Sequence, residues 1–116
     1  MHFAFRSAEA RGCALDAVRA WSWSAQEGAG THEKRAAARL DDLLGEAEAE
    51  HPTVPVRRTT IEGPPGHILV ARSSTADLVV IGARHRHGHF GLQLGRTSHT
   101  LLHHARCPVA VVPQLA

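Results

Sequence analysis

A chain of 116 residues with 43% hydrophobic and 21% charged residues has the composition of one globular domain with a modest core. Its net charge of +2 is too small to indicate nucleic-acid binding, and no apolar run approaches the length of a membrane span. Cys13 and Cys107 lie far apart without metal-ligand spacing, and the N-terminal residues lack a signal-peptide pattern. We therefore expect a single cytoplasmic domain over residues 1–116 with reduced cysteines.

The first elements are a helix and a strand. Residues 1–11 are alanine-rich and favour a helix that ends at Gly12, with Phe5, Ala8 and Phe3 as the residues that could face the sheet. Residues 13–23 follow as a strand. The residues expected in the core of this strand are Leu15, Val18 and Ala20.

A glycine-containing loop then leads to a second helix and a second strand. Thr31 is the expected N-cap of the helix, and His51 and Pro52 mark its end. Its expected buried face consists of Ala36, Leu40, Leu43 and Ala47. Residues 54–61 are β-branched and predict a strand, which a turn connects to a short helix over residues 67–74.

The C-terminal part predicts a βαβ unit. Residues 77–81 form a short apolar run that should stop as a strand at Gly82. Residues 97–105 then predict a helix. Its apolar face should contain Ser98, Leu101, Leu102 and Ala105. A second buried strand begins at Val109 and is closed by Pro113, so the two strands should be parallel with a right-handed crossover.

The loop between these elements is the expected functional site, because ligands in parallel sheets bind outside the carboxyl ends of the strands. From Gly82 to Arg106 the chain has four arginines, six histidines and no acidic residue. Glycines let the backbone approach a ligand, a helix N-terminus attracts anions, and arginines pair with phosphate. The residues that suit such an anion site are Gly82, Gly88, Gly91, Gly95, Arg84, Arg86, Arg96, Thr97 and Ser98.

This segment resembles the C-terminal signature of the universal stress protein family. In that signature Gly, two residues, Gly, nine residues and Gly precede Ser or Thr. Gly82 and Gly95 match the first and last glycines, and residues 103–113 (HHARCPVAVVP) match the closing strand. His85 replaces the middle glycine, and Arg96 replaces the Ser or Thr. The resemblance implies an α/β fold with a Rossmann-like (adenine nucleotide alpha hydrolase-like) parallel sheet and helices on both faces.

The resemblance also implies a function. A stress-response domain of this kind would bind ATP weakly through residues 82–98, with the Ala20 backbone against adenine, and would have no catalytic activity and no metal. It would form a homodimer through residues 109–113. The family's first central strand, which carries an adenine-recognising aspartate, has no counterpart here, so we expect a domain that lacks this strand. The nucleotide-binding residues so implied are Ala20, Gly82, Arg84, His85, Gly88, Gly95, Arg96, Thr97 and Ser98.

Other interpretations stay open. The alternating loop histidines His85, His87 and His89 suit a transition metal, but the interleaved arginines repel a cation. Nucleic-acid binding has less support, because Phe90 is the only aromatic residue in this loop on which a base could stack. Ser98 and His99 are adjacent on a helix and form no nucleophile–base pair, so catalysis has no candidate residue. The chain could also be a dimeric interaction protein without ATP affinity, or a truncated remnant.

Overall fold

The structure, a computed structural model, describes residues 1–22, 29–85, 92–93 and 95–114. The chain divides into two compact units, Met1–Pro64 and Pro65–Ala116. Helices and strands alternate along most of it, as predicted for an α/β protein. In chain order the elements are α1 (His2–Arg11), β1 (Leu15–Trp21), α2 (Ala29–Glu50), β2 (Val56–Glu62), α3 (Pro65–Ser73), β3 (Val79–His85), β4 (Leu92–Gln93), α4 (Arg96–His104) and β5 (Val109–Gln114).

The helix α1 ends where the sequence predicts. Gly12 has a left-handed conformation with φ 65°, which a residue with a Cβ adopts only at a cost. Its N–H donates to the carbonyl oxygens of Ala8 and Glu9, so these carbonyl groups of the last helical turn have a hydrogen-bond donor. Phe5 is fully buried and Ala8 nearly so, as expected, but Phe3 is 37% exposed and lies off this face.

The helix α2 differs from the prediction at its start and on its buried face. It begins at Ala29, so Thr31 lies inside the first turn and is not the N-cap. Leu44 is fully buried, whereas the predicted Leu43 is only half-buried. The side chains of α2 that are buried are Ala36, Leu40, Leu44 and Ala47. Steps of four, four and three residues keep these positions on one face of a straight helix.

In the first unit, β1 and β2 form a parallel pair that starts at Leu15 opposite Val56. The strand β2 begins two residues later than predicted, at Val56. The Pro55 carbonyl just before it accepts the N–H of Leu15 at 2.9 Å, which is the first hydrogen bond of the pair. The predicted core residues of β1 are half-buried, and Leu15 packs against the core of this unit. That core consists of Phe5, Ala8, Leu40, Leu44, Ala47 and Val54.

In the second unit the strand order is β4-β3-β5. The strands β3 and β5 are parallel, as predicted, with Val79 opposite Val109. The prediction that the first of them stops at Gly82 is wrong, because Gly82 pairs with Val112 and the ladder continues to Arg84. For the same reason β5 runs past Pro113 to Gln114. The two-residue strand β4, antiparallel to β3, was not predicted.

The helices α3 and α4 pack against each other. Gly66 is buried, and a Cβ added to it would lie 3.1 Å from the Cβ of Thr100, so this contact requires glycine or a shift of the threonine. Ser98 and Leu101 are buried as expected, but Leu102 is 50% exposed. Adjacent helical residues lie about 100° apart, so Leu102 falls off the buried face. None of the helices in the described ranges combines the length and apolarity needed to cross a bilayer.

Candidate functional site

The extension of β3 alters the predicted glycine-rich loop. Gly82 is exposed, but it lies in the strand and not in the loop. Arg84 pairs with Gln114 of β5 on one side and with Gln93 of β4 on the other, and His85 pairs with Leu92. Sheet pairing therefore uses backbone groups of this segment that a nucleotide would otherwise contact. Gly88, also predicted for the site, lies outside the described residues.

The N-terminus of α4 is the part of the predicted site that is best suited to an anion. Gly95 is the N-cap, with φ −77° and ψ −179°, and no side chain caps the helix. The first intrahelical bond runs from the His99 N–H to the Gly95 carbonyl at 3.1 Å. The N–H groups of Arg96, Thr97 and Ser98 therefore precede the first hydrogen bond of the helix and carry the positive end of its dipole.

Space and charge beside this helix end also favour an anion. A Cβ added at Gly95 would meet no atom within 4 Å, so the described surroundings leave the helix end open to approach. Arg96 is exposed and Thr97 is half-buried, so both can face a ligand. Ser98 is only 5% exposed, and its hydroxyl is thus shielded from solvent. Of the three predicted donors on this turn, Arg96 and Thr97 are the accessible ones.

Ala20, the residue implied for adenine, lies in the other unit. It is half-buried and pairs with Ile61 one position before the end of β1. It is thus near the carboxyl end of a parallel strand, where ligands bind in α/β folds. The remaining predicted residues belong to the second unit.

A groove on the second unit was not predicted from the sequence. It is open to solvent and has a volume of about 670 Å³. The polar residues that line it are His67, Ser74, Thr100, His104 and Arg106. Its apolar lining consists of Val70 and Ala71. Basic and hydroxyl groups dominate its polar surface. They come from α3 and the residue after it, and from α4 and the segment after it, so no spacing along the chain indicates the groove.

The first unit contains an ionic cluster centred on Arg58 of β2. The Arg58 Nε donates to Asp41 Oδ1 at 2.8 Å, and both Nη groups donate to the Glu48 carboxylate. The hydrogen bond from Arg58 lowers the pKa of Glu48, and the same contact raises the pKa of Arg58. One guanidinium is thus shared by two carboxylates, and all three side chains are partly exposed, so the cluster attaches α2 to β2 at the surface of this unit.

Similar sequences are known. Residues 1–113 match the model of the Universal stress protein family. Universal stress protein Rv2005c of Mycobacterium tuberculosis is 38% identical over 116 residues, which cover 96% of this chain but only 39% of that protein. Universal stress protein Slr1101 of Synechocystis is 37% identical over 95 residues, which cover 80% of this chain and 79% of that protein. These names are those of stress proteins and not of enzymes. The chain spans about 39% of the length of the mycobacterial relative.

Similar structures are also known. The universal stress protein UspA from Lactobacillus plantarum has a TM-score of 0.68 at 20% identity, with 95% of this chain and 84% of that chain covered. The hypothetical protein MJ0577 has a TM-score of 0.53 at 16% identity, with 97% and 86% covered. At such low identity the likeness shows the fold alone. The predicted α/β, Rossmann-like class is confirmed.

Proposed function

Because the chain belongs to the universal stress protein family, we propose that it is a cytoplasmic stress-response domain that binds ATP weakly through residues 82–98 and catalyses no reaction. The observation that carries the proposal is the open N-terminus of α4. Gly95 leaves the first N–H groups of the helix uncovered, and the exposed Arg96 adds a full positive charge. Such a helix end binds phosphate groups well.

The charge pattern supports an anionic ligand. The sequence from Gly82 to Arg106 contains no carboxylate that would repel a triphosphate. Arg84 and Arg96 lie at the two ends of the segment and can donate forked hydrogen bonds.

Two features favour weak binding. His85 stands where the family motif has its middle glycine, and a side chain there hinders close approach of the backbone. Backbone groups of β3 between Gly82 and His85 take part in the sheet. Catalysis is not expected, because the first turn of α4 contains no carboxylate, and Ser98 and His99 are adjacent on the helix and form no nucleophile–base pair.

Replacement of Gly95 by aspartate tests the site without harm to the fold. Aspartate is a good N-cap, and the space around Gly95 is open, so the helix should be slightly more stable. The added carboxylate would occupy the anion position and repel phosphate. We expect ATP affinity, measured by isothermal titration calorimetry, to fall about tenfold or more.

Gly45→Asp is the matched control. Gly45 is exposed on α2 with no atom within 4 Å of an added Cβ, so this variant has the same change of charge away from the site. It should bind ATP like the unmodified chain. Absence of binding heat at millimolar ATP with folded protein would refute the proposal. Equal affinities of Gly95→Asp and Gly45→Asp would show that ATP binds elsewhere.

A dimeric interaction protein is the second candidate, and the position of β5 favours it. Among the described strands of this sheet, which are ordered β4-β3-β5, β5 is at an edge, so its outer backbone groups can pair with a second copy. Pairing through residues 109–113 would bury this edge. Sedimentation velocity at increasing protein concentration should then show a dimer, and a monomer at the highest soluble concentration would contradict this.

A further inference from the structure

Two histidines and a carboxylate lie together in the first unit, where α1 begins and α2 ends. His2 is at the start of α1, Glu50 is the last residue of α2, and His51 follows it. One donor atom from each of the three side chains lies within 4.8 Å of the others. His2 Nδ1 and Glu50 Oε2 are 3.3 Å apart.

The 3.3 Å separation of His2 Nδ1 and Glu50 Oε2 suits two ligands of one metal ion. Ligands at about 2.0 Å from a tetrahedral Zn²⁺ lie about 3.3 Å from each other. Imidazole nitrogen and carboxylate oxygen are common zinc ligands. His2 and Glu50 are about half exposed, so an ion can enter from solvent and water can complete its coordination.

Neighbouring residues hold His51 in position. The His51 ring stacks on Phe5, with centroids 5.6 Å apart and an angle of 22° between the planes. Phe5 is fully buried, and the His51 side chain is only 14% exposed. His51 Nδ1 lies 3.3 Å from Glu9 Oε2. When Glu9 accepts a hydrogen bond from the Nδ1–H group of His51, Nε2 is the nitrogen left to bind a metal, as in carboxylate–histidine–zinc arrangements.

We propose that His2, Glu50 and His51 bind a divalent transition-metal ion, with Zn²⁺ as the best match, and that Glu9 is a positioning residue for His51. A bound ion would join the start of α1 to the end of α2 and so stabilise the first unit. The proposal differs from the sequence-based expectation of no metal. It does not depend on ATP binding, because none of its residues belongs to the predicted nucleotide site.

A second group of histidines must be separated from this one in any test. His99 and His103 lie one turn apart on α4, with parallel rings whose centroids are 6.5 Å apart. Two histidines at this spacing can also hold a transition metal. His103→Ala is therefore the matched control, because it removes one histidine from the alternative pair and leaves the proposed site intact.

The experiment is calorimetric titration of the full, untagged chain with Zn²⁺, since a histidine tag would bind the metal itself. The unmodified chain and His103→Ala should each show the same site. His2→Ala and His51→Ala should each lose it, and Glu9→Gln should weaken it about tenfold. His2 is exposed, so His2→Ala tests the site even if His51→Ala loses stability with its Phe5 contact.

A second measurement follows the effect of the ion on folding. Added Zn²⁺ should raise the urea midpoint of the unmodified chain and of His103→Ala but not that of His2→Ala. The proposal is overturned if the folded chain shows no Zn²⁺ binding. It is equally overturned if binding persists in both His2→Ala and His51→Ala, or if it disappears in His103→Ala.

Discussion

Ser73 links the end of α3 to the segment before β5, and its removal should destabilise the second unit. It is fully buried, and its hydroxyl donates to the Val70 carbonyl at 2.6 Å. The same oxygen accepts the backbone N–H of Arg106 at 2.9 Å. In Ser73→Ala that N–H loses its acceptor in a partly buried place. A lost hydrogen bond together with an unsatisfied donor costs about 1–3 kcal/mol.

Ser74, the residue directly after α3, provides a matched control. Its hydroxyl donates to the Ala71 carbonyl at 2.8 Å, again three residues back, but the residue is exposed. Water can replace that bond, so Ser74→Ala should change the free energy of unfolding by less than about 0.5 kcal/mol. The two variants remove the same group from adjacent positions and differ in burial and in the bond to Arg106.

Urea denaturation followed by circular dichroism measures both variants. We expect a lower midpoint for Ser73→Ala with an unchanged slope, since the fold itself is retained. Equal losses in Ser73→Ala and Ser74→Ala would refute the reasoning, because they would show that the buried bond to Arg106 contributes nothing.

Two further predictions concern the first unit. The Arg58 hydrogen bond lowers the pKa of Glu48, so this carboxyl stabilises the fold above its unfolded-state pKa and loses that effect as the pH falls through the folded-state pKa. Glu48→Gln should flatten the acid side of the pH dependence of the urea midpoint, whereas a Gln at the exposed Glu46 should leave it unchanged. Gly12→Ala should cost about 1 kcal/mol because of its positive φ, while Gly45→Ala should stabilise the exposed middle of α2 by about 0.5–1 kcal/mol. Shifts of the same sign in these glycine variants, measured by urea denaturation, would contradict this argument.

The alternation of helices and strands could be predicted because it depends on local patterns. The end of α1 is local in this sense, since Gly12 adopts its left-handed conformation whatever packs nearby. The parallel pairing of β3 and β5 follows from two apolar runs joined by a helix. Boundaries were less predictable: β3 continues through Gly82 because β5 offers it a partner, and no pattern within β3 contains that information.

The features of the candidate site also fall into those that the sequence predicts and those that depend on packing. Gly95 and Arg96 could be identified from the sequence, because a glycine before a helix and a basic first residue are neighbours in the chain. Ser98 was expected both on the buried face of α4 and among the anion donors, and only the packing against α4 decides between the two by burying this residue. The lining of the groove between α3 and α4 has no sequence signal at all.

The sequence by itself determined the family, the order of the main elements and the cation-rich segment that would receive an anion. Each depends on residues close together in the chain or on a motif with fixed spacing. The tertiary structure alone decided which leucine of α2 is buried, how far β3 extends and which distant side chains meet. His2 and His51 are brought together only because α1 packs on α2, and Ser73 reaches Arg106 only because the chain returns to the end of α3. Contacts of this kind arise from packing between elements, and packing is not encoded at any single position.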